Sequence, residues 1–192
     1  MKNSSITFRL IVFNFLEFAV WGAYLTSLGR YLGNIGMGPN IKWFYAMQGI
    51  VSIFMPALMG ILADKYMQAQ KVFALCHGFA GAFMIAAGMY CMRAADAVTF
   101  PTLFTLYSFS VAFFMPTIAL GNSVCYKTLE VKGKDPVKDY PPIRVFGTVG
   151  FICSMLVTNW LVIGGKAMQD SYTQLMSSGI LSLALCLYSF TM

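Results

Sequence analysis

Charge is scarce in this sequence. Only 10% of its 192 residues are Asp, Glu, Lys or Arg, where a water-soluble domain carries about a quarter. So little charge cannot cover a soluble core, which excludes a soluble globular fold and makes lipid the solvent for most of the chain. Histidine occurs once, as His77. The five cysteines, Cys76, Cys91, Cys125, Cys153 and Cys186, stand singly in or at the ends of apolar runs. Without metal-ligand or redox spacing they read as free structural thiols. No Ser/His/Asp set, metal cluster or phosphate loop can be assembled, so neither an enzyme nor a resident cofactor has candidate residues. Heptads, low-complexity tracts and alternating strand patterns are missing as well, and a β-barrel is excluded. No cleavable signal peptide is apparent, because the first apolar run is long enough to span and leads into further spans.

What is present is apolar. Hydrophobic residues make up 58% of the chain and aromatics 16%, with 14 Met and 17 Gly. A bilayer core needs about 20 apolar residues per helix. Six runs qualify: Leu10–Leu28, Trp43–Leu62, Val72–Met92, Leu103–Val124, Val145–Ile163 and Leu175–Phe190. The expected fold is all-α, a polytopic membrane protein forming one six-helix bundle over residues 1–192. The longest gap, Tyr126 to Ile143, is polar and reads as a loop. The net charge of +6 does not indicate nucleic acid, since the basic residues sit in short segments between apolar runs. Lys2, Arg9, Lys65, Lys71, Lys127, Lys132, Lys134 and Lys138 fall on one side, against Arg30, Lys42, Arg93 and Lys166 on the other. Leaving Arg144 aside, the bias places both termini in the cytoplasm.

Polar groups inside the runs mark candidate function. A charge at the centre of a membrane helix costs at least about 2.5–3.5 kcal/mol and needs a partner or a cavity. Glu17 shares a helical stripe with Asn14, Trp21 and Tyr24, which reads as a cavity wall; the alternative is a protonated Glu17 bonded to a neighbouring helix. Arg144, Thr148 and Phe151 share another stripe, behind Pro141-Pro142 in a first helical turn. A cation, a hydroxyl and a ring suit a polar, ring-bearing solute, while the competing reading lets Arg144 snorkel to headgroups. Gln48 and Ser52 share a face of the second span, with Pro56 beyond them. Tyr107, Ser108, Ser110, Thr117 and Asn122 make the fourth span the most polar, with Pro116 as its expected bend. His77 reads as a satisfied packing residue.

Four stretches, taken together, resemble the nucleoside:proton symporter family of the major facilitator superfamily. They are Phe15-Leu16-Glu17-Phe18-Ala19-Val20-Trp21-Gly22 with Leu25-Thr26-Ser27-Leu28-Gly29; Phe54-Met55-Pro56-Ala57-Leu58-Met59-Gly60 through Ala63-Asp64-Lys65 with Cys76-His77; Met115-Pro116-Thr117 with Asn122 and Tyr126; and Tyr140-Pro141-Pro142-Ile143-Arg144-Val145-Phe146-Gly147-Thr148-Val149-Gly150-Phe151. They follow one another in matching order. Gly60 to Lys65 is also similar to the superfamily's loop signature, in degenerate form, with Met67 in place of the later Gly and Ala69-Gln70 in place of the trailing basic pair.

The resemblance implies the N-terminal half of a twelve-helix transporter of the cell inner membrane, with nucleoside and protons as the transported species. The remaining partners would be lipid and a C-terminal six-helix half or a second copy. It implies that Arg144, Thr148 and Phe151 bind substrate at the membrane midplane. Glu17, Trp21 and Gln48 complete the expected substrate-binding set. Glu17 departs from the family, where an uncharged amide is expected. In the superfamily's arrangement the first and fifth spans are close across the cavity, so Glu17 can pair with Arg144; the alternative is that Arg144 binds substrate or headgroups alone while Glu17 stays protonated and packed. Competing readings are a self-contained six-helix channel or scaffold and, lacking any catalytic set, a membrane-embedded enzyme.

Overall fold

The computed structural model describes residues 2–192, with side chains from Ile6 onward; the Lys2 side chain, counted in the charge bias, lies outside the described part. Its α-helices are α1 (Lys2–Gly22), α2 (Leu28–Asn34), α3 (Ile41–Lys65), α4 (Ala69–Ala94), α5 (Phe100–Val131), α6 (Pro136–Trp160) and α7 (Thr173–Ser189). Among the described residues, four helical stretches are long and apolar enough to cross a bilayer: Gly38–Lys65, Ala69–Ala97, Phe100–Val131 and Pro136–Trp160. The first and last expected spans join the bundle as the more polar α1 and the shorter α7.

Three boundaries differ from the sequence expectation. The Leu10–Leu28 run is not one helix. It breaks after Gly22, turns through Ala23–Ser27 and resumes as α2. The backbone tightens there, with Tyr24 N–H donating to Trp21 and Ser27 N–H to Tyr24, and the Ser27 hydroxyl leaves the helix to donate to Gln174 Oε1 at 2.8 Å. The expected loop Tyr126–Ile143 is mostly helical, because α5 continues to Val131 and α6 begins at Pro136. Asp135 caps α6 by accepting from Val137 N–H, and Pro136 suits the first helical position, where its missing N–H is not needed. Pro141 and Pro142 therefore lie inside α6 rather than in its first turn. A short antiparallel hairpin, β1 (Val162–Ile163) with β2 (Lys166–Ala167), takes the end of the expected fifth span.

Contacts fix the helix directions. Tyr140 reaches Asn14, Gly150 meets Phe15 and Thr158 meets Ala23, so α1 and α6 climb in parallel. A Cβ on Gly150 would fall 2.1 Å from the Phe15 carbonyl oxygen, and one on Gly22 would fall 2.3 Å from that of Phe151. Only hydrogen fits in this seam. His77 with Ser182 and Gln70 with Ser189 make α4 and α7 antiparallel. Phe44 with Phe104 and Gln48 with Tyr107 make α3 and α5 parallel.

Burial follows these neighbours. α4 turns a broad face inward, from Val72 and Phe73 through Ala80 and Met84 to Cys91, whereas α3 buries only Phe44, Gln48 and Val51. Two apolar cores result. One gathers Tyr24, Leu28, Leu32, Phe44 and Tyr107; the other gathers Leu10, Phe13, Phe73, Leu129 and Ile143. Beyond the first core, Arg30 forks onto both carboxylate oxygens of Asp170, and Asn34 donates to one of them. The guanidinium bonds hold the Asp170 carboxyl below its usual range.

Candidate functional site

A cavity of about 480 Å³ opens between α1, α3 and α5, lined by Trp21, Gln48, Ser52, Pro56, Met115 and Asn122 among others. Its volume falls within the usual range for small-molecule sites, roughly 300–1,000 Å³. Gln48 is held at both ends. Trp21 Nε1 donates to its Oε1 at 3.2 Å, and its Nε2 donates to the Tyr107 hydroxyl at 2.6 Å. The indole is thereby fixed in one orientation, with the amide beside it.

From Trp21 an aromatic wall runs to α6. The indole meets Phe151 edge-on at 6.1 Å between centroids and lies 6.5 Å from Phe18. The Arg144 guanidinium carbon sits 3.9 Å above the Phe18 ring, a cation–π contact worth about 0.5–2 kcal/mol depending on desolvation. Arg144 and Phe151 are half-buried and Thr148, between them on the α6 stripe, is exposed. The result is a cation, a hydroxyl and three rings along one wall, with an oriented amide at its far end. Stacking surface plus convergent donors suits a solute with a planar base and hydroxyls.

Of the residues singled out in the sequence, Trp21 and Gln48 line the cavity; Phe151 touches Trp21, Arg144 reaches it by way of Phe18, and Thr148 stands on the Arg144 stripe of α6. Phe18 was not singled out there, although its spacing of three from Trp21 placed it on a shared side of α1. Tyr107, noted only as polar, proves to be the anchor of Gln48. Pro56 lines the cavity, and α3 and α5 both continue through their prolines.

Glu17 is elsewhere. It is 3% exposed and is not among the cavity-lining residues. Its Oε2 lies 2.7 Å from His77 Nε2, and its Oε1 accepts from the Thr117 hydroxyl at 2.8 Å. The expected ion pair with Arg144 is therefore replaced by a pair with His77; no Glu17–Arg144 bridge exists among the described residues. Asn14, Glu17 and Tyr24 are all buried, so the stripe of α1 faces protein interior, with Trp21 at its edge. His77 is satisfied, as a packing residue should be, but by a carboxyl that sequence spacing alone could not assign to it.

Comparison with known proteins places this geometry. A family described as "Nucleoside H+ symporter" matches residues 4–192. The xanthosine permease of Escherichia coli K12 is 40% identical over 191 residues, covering 98% of this chain and 43% of that protein. The nucleoside permease NupG of the same organism is 36% identical over 190 residues, with the same coverage. The crystal structure of nucleoside transporter NupG superposes with a TM-score of 0.79 at 34% identity, covering 96% of this chain and 43% of that one. This chain therefore spans less than half the length of the curated relatives it matches, and the shared fold is that of their N-terminal part. It is a multi-pass membrane protein, and by sequence and fold together it belongs to the nucleoside:proton symporter family of the major facilitator superfamily.

Proposed function

We propose that this chain supplies the N-terminal half of a proton-coupled nucleoside transporter of the cell inner membrane, working by alternating access. The observation that carries the reading is the wall formed by Arg144, Phe18, Trp21 and Phe151 beside a cavity with a doubly anchored Gln48. The nucleobase stacks on the rings, Arg144 and Thr148 bind its polar edge or the sugar hydroxyls, and Gln48 holds the indole that shapes the site. A second half closes the cavity, and rocking of one half against the other exposes the midplane site to each side in turn.

The lysine and arginine distribution supports both termini facing the cytoplasm. Externally applied thiol reagent is expected to label Lys166→Cys and to miss Lys132→Cys; strong labelling at 132 reverses the orientation. The function itself is tested by uptake of labelled nucleosides into cells expressing the full-length protein, with and without a proton gradient. Uptake that depends on the gradient and is lost in Arg144→Ala is the expected result. Wild-type uptake equal to that of cells lacking the protein would refute it.

A further inference from the structure

Of the seven acidic residues, only Glu17 is buried, and the substrate wall does not use it. Its partner His77 is 0% exposed. Four helices meet at this point: α1 brings Glu17, α4 His77, α5 Thr117 and α7 Ser182. On α1, α4 and α5 the polar residue sits where the two apolar cores adjoin, between Phe13 and Val20, Cys76 and Ala80, Phe114 and Leu120. Here the bundle interior holds a polar layer between two greasy ones.

The hydrogen atoms of this layer can be counted. Ser182 Oγ has one hydrogen and two acceptors in reach, the His77 carbonyl and His77 Nδ1, each at 2.9 Å; when it donates to the carbonyl, it accepts from Nδ1. Nδ1 then carries a hydrogen. Nε2 faces Glu17 Oε2 at 2.7 Å, a distance at which two bare lone pairs would repel, so a proton lies between them. In that arrangement, whether the proton is drawn on the carboxyl or on the imidazole, the pair is neutral as a whole and holds one proton more than a carboxylate beside a neutral ring. Removing that proton is also accommodated. The imidazole hydrogen moves to Nε2 to face the carboxylate, and the Ser182 hydroxyl rotates from the carbonyl to Nδ1. Every hydrogen bond of the ring survives, and only the net charge changes, by one.

Other titratable groups surround the pair. Cys76 on α4, Cys125 on α5 and Tyr140 on α6 interact electrostatically with Glu17. Arg144 of α6 acts on Cys125 and Tyr140, and Cys186 of α7 lies beside Gly78. On α3, Asp64 and Lys65 are exposed at the helix end, and Arg9 lies two turns before Glu17 on α1. Arg144, which acts on Cys125 and Tyr140 and stacks on Phe18 beside Glu17, also belongs to the substrate wall.

We propose that Glu17 and His77 form a buried site for one exchangeable proton whose occupancy is linked to nucleoside binding through Arg144; this rests on the transport reading above. Substrate that engages the guanidinium weakens its support of a negative pair and so favours the proton-loaded state, which is the sign needed for binding both together.

The test uses full-length protein in lipid nanodiscs, labelled with ¹⁵N-histidine, the His77 signals being assigned by their loss in His77→Gln. Between about pH 5 and 8, the range in which histidine changes charge, the imidazole nitrogens and the infrared carboxyl band of Glu17 are expected to change together. Affinity for purine and pyrimidine nucleosides, xanthosine and uridine among them, should vary by up to about tenfold per pH unit in that range, the limit for one linked proton. Glu17→Gln keeps a donor to Nε2 but cannot take the proton, so the slope should vanish while binding persists. A His77 signal that stays in one state across the range, or one that titrates identically in Glu17→Gln, overturns the proposal. So does an unchanged affinity slope. The titration is read on wild-type protein and decides even if the variant fails to fold. Absence of nucleoside binding at every pH would instead defeat the transport reading, an outcome distinct from a silent His77.

Discussion

Replacing Gly150 with Ala tests how closely α1 and α6 must approach. The added Cβ would sit 2.1 Å from the Phe15 carbonyl oxygen, whereas carbon and carbonyl oxygen ordinarily approach no closer than about 3.3 Å. The helices must therefore separate by about 1.2 Å, and the obstacle is backbone, which cannot turn aside as a side chain would. Overpacking costs about 1–3 kcal/mol, and this site belongs at the upper end. In a full-length protein the size of the relatives, about 440 residues, an unfolding entropy of about 2.1 cal/mol/K per residue makes about 3 kcal/mol a fall of roughly 3 °C in melting temperature. Gly22→Ala, with 2.3 Å to the Phe151 carbonyl oxygen, should behave alike. The control is Gly49→Ala, where nothing lies within 4 Å of the new atom; there a gain of about 0.4–1 kcal/mol is expected from the stiffer chain. Thermal unfolding of the purified full-length protein in one detergent compares the three, and nucleoside uptake should fall for the seam variants, which displace Arg144 and Phe151. Equal melting temperatures for Gly150→Ala and Gly49→Ala would refute the close-packed seam.

Arg144→Lys keeps the charge but loses the planar guanidinium stacked on Phe18, so nucleoside affinity should fall by about the worth of that contact, roughly 2- to 30-fold for about 0.5–2 kcal/mol; equilibrium binding checks it. Gln48→Leu strips Trp21 and Tyr107 of their shared partner and should lower stability by about 1–3 kcal/mol through unpaired buried groups, measured by thermal unfolding. For Asp170 the carboxyl is held below 3.8 by the Arg30 hydrogen bonds, so its contribution is present above that value and lost as pH falls through the lowered one. The melting-temperature gap between wild type and Asp170→Asn should therefore be open at neutral pH and close in strong acid.

Hydropathy and polar stripes made most of this molecule legible. The helices follow from run length, because each apolar stretch must satisfy its own backbone in lipid. Arg144, Thr148 and Phe151 were singled out because their spacing puts a cation, a hydroxyl and a ring on one face of a helix, and because that stretch resembles the family. Helix ends were less visible. The segment after Val131 is polar but caps itself at Asp135, and polarity marks where a helix leaves the membrane, not where it stops. The break at Ala23–Ser27 depends on Ser27 finding Gln174, 147 residues away. The partner of Glu17 had the same difficulty. Arg144 was the obvious opposite charge, yet His77, 60 residues along, is the group that the packing of α4 brings within reach. Which residues are polar can be read locally, but which polar residues meet is decided by helix rotation.

The parallel seam of α1 and α6 also sets an order on biogenesis. Gly22 meets a helix whose contact residue, Phe151, is made only after the intervening chain has left the ribosome. At about 5–20 residues per second that interval is on the order of ten seconds. Throughout it α1 lacks its main neighbour. Its carboxyl waits through the earlier part of that interval for the histidine of α4. An uncompensated acid in hydrocarbon costs at least about 2.5 kcal/mol, so a nascent α1 is held poorly by lipid alone. Its secure place comes from the helices that follow, and α1, made before the other six, is among the last of the seven to be locked in.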